Sequence, residues 1–521
     1  MRRTLPIRSS IRLLLCYLSL SALAILISGC ATHALDRAPA SPHAPWQDPK
    51  LPDSSSTSKT FSIAPVPTSN ALKASAVEIT KNHTPYTLTA LIDLAQQNNP
   101  LTRTAWNQAR QAALAVGMVE ATFLPVISAS VIGGHQRTSV DSPLSIGPRE
   151  FTTTISGVVP ALSMGWLVFD FGQRAALLEA AEQLSRASNI LFNAAHQKVI
   201  WDVTTSYYQY NLRREQSKLA QDAIKQRQAI AQAARARHAT GLATVLDTTF
   251  SEQLVQQAKL HLVNAQGLER NAYLDLLAKV GLSPMTELRI APQNSSQTSA
   301  NQKKQIELSQ TAIEQAVAQR PDIAASYAAV QAAKANIRAV EADFMPKVFM
   351  AGMLASNQSN FRLQNLPTIQ QTGHASGILM GISVPLYEGG IRNARLVGAQ
   401  IRKEQADQNF DELQRDAVRE IVLAQTMLES AFESEKTANQ LVKTAQTAYG
   451  AAFDSYKEGL ATMTMVTETA NALLHARQAA LDARTAVRLS SATLAFALGQ
   501  LTSAQAATQN SITTFSAQHK K

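Results

Sequence analysis

Along most of this chain apolar residues recur at helical spacing, and the period changes in four short places. From about Leu88 to Ala121, and again from about Thr311 to Ala342, Ala, Gln, Leu and Val run on with few breakers, which predicts a helix in each segment. After Pro125 the text VISASVIGGHQRTS turns to β-branched and small residues, and after a Ser/Gly/Pro loop FTTTISGVVPALSMGWLVFD resumes them. KVFMAGMLASNQ and HASGILMGISVPLY repeat the change later in the chain. In the last of these, Ile378, Met380, Ile382, Val384 and Leu386 alternate with Leu379, Gly381, Ser383 and Pro385. A period of two predicts a strand with one bulky apolar face and one small, mostly uncharged face, and four strands of about 10–14 residues follow. Each strand pair leads into a very long helical run. No proline interrupts the chain from Gly172 to about Thr240, and Leu177, Leu184, Leu191, Leu212 and Leu219 share one seven-residue register, with Lys198 and Thr205 at the intervening places. Such a leaky heptad predicts helix packing with mild supercoiling, along a rod about 100 Å long.

The pattern occurs twice. NPLTRTAWNQARQAALAVGMVEATFLP ends at Pro125 and RPDIAASYAAVQAAKANIRAVEADFMP at Pro346, so Pro100 matches Pro321, Glu120 matches Glu341 and Phe123 matches Phe344 at an offset of 221. FDFGQR at Phe169 matches YEGGIR at Tyr387, and GLATVLDTTFSEQL at Gly241 matches GLATMTMVTETANAL at Gly459, both at an offset of 218. A near-constant offset over so much chain predicts two large duplicated halves. Gly241 and Gly459 are expected where each long helix reverses, because a left-handed residue ends a helix at no steric cost when it is glycine. Thr244 and Thr462 stand where they would cap the returning helices.

The ends add a compartment. Arg2, Arg3, Arg8 and Arg12 precede an apolar run from Leu13 to Ile27, the shape of a secretory signal and too short for a membrane span of about 20 residues. Ile27-Ser28-Gly29-Cys30 resembles a bacterial lipobox, which implies cleavage before Cys30, a diacylglycerol on its sulfur and, with Ala31 following, the outer membrane. Cys16 would be removed and Cys30 left as the only mature cysteine, so an intrachain disulfide, thiol catalysis and Cys-based zinc sites are excluded. Loss of the four arginines brings the formal charge from +10 to +6, and the remaining charges are interspersed, with no basic block of a nucleic-acid footprint. From Ala31 to about Pro85 the Pro, Ser, Thr and Ala content predicts a disordered tether. The expected organisation is thus a signal at 1–29, a lipidated tether at 30–86, repeats at 87–300 and 301–502, and a tail at 503–521. The fold class is α+β, mainly α.

Four strands leave two open edges, which lipid cannot satisfy, and single-chain barrels begin at 8 strands. Either the strands pack on a soluble core or several chains share one barrel. At this point TLTALIDLAQQNNP, EATFLP, EADFMP, VPLYEGGIRNAR and YKEGLATMTMVTETANALL together resemble the TolC-like outer-membrane efflux proteins, over residues 87 to about 500. The resemblance implies a homotrimer with a shared twelve-stranded transmembrane barrel and a long periplasmic helical barrel. It implies a passive exit duct for small toxic molecules, working with a periplasmic adaptor and an inner-membrane transporter.

For the tips it implies gate residues at Asp247 and Tyr456. Gly241, Leu242, Thr244, Gly459, Leu460 and Thr462 would form the turns and the adaptor contact. Ala461 stands where the family pattern has Arg, and Met465 and then Glu468 where it has acids. The expectation is therefore a constriction with one carboxylate per chain from Asp247, with Glu468, and an apolar contribution from Met463 or Met465. No HExxH, GxxxxGK[ST] or Gly-x-Ser-x-Gly occurs and the ten histidines are scattered, so neither enzyme activity, nor a cofactor, metal site or nucleic-acid partner is expected. The outer-membrane component of a type I protein-secretion system remains the alternative. A non-pore periplasmic coiled-coil protein is a third reading, which the four strands disfavour.

Overall fold

The computed structural model describes residues 85–141, 150–292, 308–363, 367–499 and 501, all within one compact unit, Glu78–Lys521. The signal, Cys30, nearly all of the tether and the tail lie outside the described residues. In chain order the elements are α1 (Leu88–Asn98), α2 (Pro100–Ala121), β1 (Val126–Asp141), β2 (Glu150–Phe169), α3 (Gln173–Ala239), α4 (Val245–Val280), α5 (Gln310–Gln319), α6 (Pro321–Ala342), β3 (Lys347–Leu363), β4 (Ile369–Ser383), α7 (Ile391–Lys457) and α8 (Met463–Ala497). Two helices, two strands and a long helical hairpin thus occur twice in the same order.

Each expected N-terminal helix is in fact two. Pro100 and Pro321 each begin a new helix, because a proline lacks the donor that would continue the ladder and pushes the residue before it into an extended conformation. Asn99 accepts from Leu101 N at 2.8 Å and donates its amide to Lys279 O at 2.8 Å, so it caps α2 and pins the end of α4. Arg320, its counterpart, donates to Ala497 O at 3.3 Å at the end of α8. Gly281 and Gly499 end those two helices at φ 83° and 71°. At Gly281 the packing is tight as well, since an added Cβ would lie 2.9 Å from Asn98 O. The core beside this staple joins Leu91 and Ile92 of α1, Val199 and Val203 of α3, and Leu276, Leu277 and Val280 of α4, all fully buried. Each such side chain contributes about 1.5–3 kcal/mol.

The strands form one antiparallel sheet in the order β1-β2-β3-β4, with β1 and β4 as open edges. They run 16, 20, 17 and 15 residues rather than 10–14, because cross-strand pairing extends into the polar stretches at the hairpin ends. Val384 and Leu386, expected to continue the alternation, lie past the end of β4. The register aligns Ile127, Met164, Gly352 and Ile378 in one row and Trp166, Met350 and Met380 in the next on the same face. The opposite face carries Ser128, Ser163 and Gly165, with Ser128 and Ser163 hydroxyls 2.7 Å apart. Among the described residues no helix is long and apolar enough to cross a membrane.

The leucine register of α3 is not the seam within the chain. Leu177, Leu184 and Leu191 remain 39%, 51% and 48% exposed. The seam between α7 and α8 is instead built on alanine. Ala417, Ala424, Ala431, Ala438, Ala445 and Ala452, seven residues apart, are all buried on α7. On α8 the heptad Val466, Leu473, Ala480, Val487 and Leu494 is buried as well. A strict seven-residue repeat drives a left-handed supercoil, and small residues let the two backbones approach closely.

Candidate functional site

The tips of the two hairpins carry the residues singled out from sequence. Both turns are built alike. Gly241 (φ 77°) and Gly459 (φ 83°) adopt the left-handed conformation, and Leu242 N donates to Arg237 O at 2.8 Å as Leu460 N does to Ser455 O at 2.8 Å. This six-to-one bond closes the end of a helix around a left-handed glycine. Both threonines cap. Thr244 Oγ1 accepts from Asp247 N at 3.1 Å, and Thr462 Oγ1 accepts from Met465 N at 3.2 Å.

The first tip is the better closed of the two. Asp247 Oδ2 accepts from Thr244 N at 2.9 Å and from its hydroxyl at 2.8 Å, completing a capping box. The backbone bond first, then the hydroxyl bond, holds the Asp247 carboxyl below the ordinary aspartate range. Met465 occupies the equivalent place in the second tip and returns no bond. Asp247 is therefore a structural cap in this arrangement, with its Oδ1 left over. Glu468 is exposed one turn into α8 and makes no ion pair among the described residues.

Tyr456 is buried inside the chain, 2% exposed, within a cluster of Ile230, Ala452, Met463, Val466 and Ala470. Burial pushes its phenol pKa up; the nearby Arg237 opposes that shift and Asp247 adds to it. Met463 belongs to the same cluster, so of the two methionines expected to offer apolar surface only Met465, 53% exposed, does so. Leu242, Val245, Leu246 and Leu460 are exposed beside it. They form an unpartnered apolar cap at the end of the rods.

Arg237, on the last turn of α3, escaped the sequence reading. Its Nη1 donates to Tyr456 O at 2.9 Å and its Nη2 to Leu242 O at 3.1 Å. Its guanidinium lies 4.6 Å from the Tyr456 ring centroid. One side chain thus closes its own turn and clasps the other hairpin. Ten residues back, Arg227 donates to Asn471 Oδ1 of α8, again between the two hairpins. Burial lowers the Arg227 pKa, and it meets no carboxylate there. Arg227 Nη1, Arg237 Nε, Tyr456 Oη and Thr467 Oγ1 are buried without a hydrogen-bond partner. The interface of α3 with the second hairpin near the tips is consequently polar and incompletely satisfied, unlike the alanine seam of α7 and α8. An arginine in a helix-final turn is an ordinary dipole partner, so only the fold could show which carbonyls it reaches. Among the described residues no group of His, Cys, Asp and Glu could hold a metal ion.

An edge-open antiparallel sheet bearing two long helical hairpins is a fold shared with solved outer-membrane channels. The Campylobacter jejuni CmeC outer membrane channel has this fold, with a TM-score of 0.66 over 80% of this chain and 88% of that one at 17% identity. The outer membrane efflux protein family model matches residues 91–282 and 312–500, and the chain belongs to that family. Among similar proteins, Protein CyaE of Bordetella pertussis is 26% identical over 62% of this chain and 64% of that protein. Cation efflux system protein CusC of Escherichia coli O157:H7 is 23% identical over 78% of this chain and 85% of that protein.

Proposed function

We propose that this protein is the outer-membrane exit duct of a tripartite pump, passively exporting small toxic molecules. The single observation that carries the proposal is the four-stranded sheet with two unpaired edges and bulky apolar residues exposed on it, among them Ile378, Met380 and Ile382. In lipid every backbone group must be paired, and three copies supply twelve strands and close both edges. The same three copies bring twelve long helices together as a tube, in which the half-exposed Leu177, Leu184 and Leu191 would meet a neighbouring copy. Exposed Phe123, Phe169, Phe171, Phe344 and Tyr387 gather where sheet meets helices, as an interfacial aromatic girdle would. The exposed apolar cap of Leu242, Val245, Leu246, Leu460 and Met465 would receive a periplasmic adaptor, itself joined to an inner-membrane transporter. Asp247 and Glu468 would give the tip its negative charge, and Tyr456 with Arg237 would hold it closed. Cys30 would anchor the chain by lipid. CusC is named for cation efflux, which is in keeping with small cargo.

The test is ethidium accumulation in cells lacking the gene, beside a complemented strain. Accumulation that rises on deletion and falls on complementation supports small-molecule export. Unchanged accumulation, with altered secreted proteins instead, would replace it with the secretion reading.

A further inference from the structure

The ionisable residues of the sheet are not evenly divided between its faces. The register sets Arg137 opposite Thr154 and Thr154 opposite Arg362. The adjacent row on that face is His135, Ser156, Asn360 and Gln370, and His374 lies opposite Ser356 on the same face. Side chains on a strand alternate with period two, so these positions share their face with Ile127, Met164, Trp166, Met350, Met380 and Ile382. The opposite face over the same length carries Gln136, Thr138, Thr153, Ile155, Ser359 and Phe361 and no charge. Arg137, Arg362, His135 and His374 are all exposed. Neither arginine makes an ion pair among the described residues; Arg362 Nε donates only to Thr368 Oγ1, at 2.9 Å. Acidic positions of that parity come at the hairpin end, Asp141 opposite Glu150.

The face has two zones. Nearest the helices it is bulky and apolar, and beyond Val131 and Leu354 it turns polar and basic. An arginine on a lipid-facing strand is opposed by about 2–4 kcal/mol at the bilayer midplane and by almost nothing at the interface. If the apolar zone meets hydrocarbon, the arginine row must therefore sit at or above the headgroups of the leaflet farther from the helices. We propose that Arg137 and Arg362, flanked by His135 and His374, form a binding row for a phosphate-bearing lipid headgroup. The guanidinium fork takes two phosphate oxygens at once, and the apolar zone beneath receives the acyl chains. The proposal rests on the channel reading, in which the sheet spans the membrane.

The test uses the full-length protein and an Arg137→Ser/Arg362→Ser variant, each in phosphatidylcholine nanodiscs with added diphosphoryl lipid A. Lipid retained on the protein after release is counted by native mass spectrometry. Two arginines at the membrane surface predict about 30-fold weaker retention by the variant. Phosphatidylcholine retention should be unchanged, free inorganic phosphate should not compete, and Arg137→Lys/Arg362→Lys should recover part of the loss. Equal retention by both proteins overturns the proposal. So does a variant whose only change is in the anion-to-cation selectivity of its channel, which would turn this face to the lumen. Wild-type protein that neither inserts nor conducts would instead remove the channel reading, and the headgroup row with it.

Discussion

Replacing Arg237 by alanine removes one side chain that joins three segments. It deletes the bonds to Tyr456 O (2.9 Å) and Leu242 O (3.1 Å) and the contact with the Tyr456 ring. Hydrogen bonds to a charged group contribute about 1.5–3 kcal/mol each, and the cation–π contact about 0.5–1 kcal/mol at an exposed site. The tip is part exposed and water can replace the guanidinium at the carbonyls, so the lower figures apply. Together they give about 3.5 kcal/mol, or about a 300-fold rise in local opening. Hydrogen exchange at the amides of Leu242 and Leu460 reads that opening, since both bond into the turns Arg237 holds. Arg237→Lys keeps the charge but not the fork and should fall between. Arg235→Ala is the control: its pair with Glu252 is exposed on both sides, and such pairs contribute at most about 1 kcal/mol. If exchange in Arg237→Ala matches the wild type, or if Arg235→Ala has as large an effect, the clasp does not hold the hairpins together. In the purified protein, the same variant should raise single-channel conductance.

Asp247→Asn keeps an acceptor for Thr244 N while removing the charge, so it should weaken divalent block of the channel without loosening the tip, whereas Asp247→Ala should also lose about 1 kcal/mol of cap; unchanged block in both would end the gate role. Because the folded Asp247 carboxyl lies below its ordinary range, its cap is fully present above about pH 4 and disappears as the pH falls through the lowered value, a loss that exchange at the tip should follow in the wild type and not in Asp247→Asn. Gly281→Ala should lower the melting temperature more than Gly499→Ala, and that more than Gly241→Ala, since the added Cβ meets Asn98 O at 2.9 Å, Arg320 Cα at 3.4 Å and open space respectively. Ala445→Leu should overpack the α7–α8 seam and destabilise by about 1–3 kcal/mol, measured by thermal unfolding, while Leu184→Ala should leave the isolated chain nearly unchanged and weaken its self-association, measured by sedimentation.

The tips show how far residue order alone reaches. Gly-Leu-Ala-Thr at 241 and 459 announced two helix reversals, and the glycines are left-handed and the threonines cap as that text implies. The capping box was legible too, because Thr244 and Asp247 are three residues apart. The breaks at Asn99 and Arg320 were equally local, and an apolar run continuing past each proline concealed them. What residue order could not convey was partnership at long range. Arg237 and Tyr456 are 219 residues apart, and nothing near either names the other. The leucine register of α3 pointed to a seam, yet Leu177, Leu184 and Leu191 stay exposed while alanines line the α7–α8 seam elsewhere, because burial depends on which neighbour arrives and at what distance.

Local chemistry by itself determined the elements: where helices run, where strands alternate, where glycine and threonine reverse the chain. Such choices depend on dihedral preferences and capping bonds within a few residues. Tertiary structure decided the faces. It brought the arginines of the sheet to one side through register, sank Tyr456 and Met463 while leaving Met465 exposed, and left unpaired polar atoms between α3 and the second hairpin. Those outcomes depend on packing between segments hundreds of residues apart, for which the period of a single helix or strand carries no information.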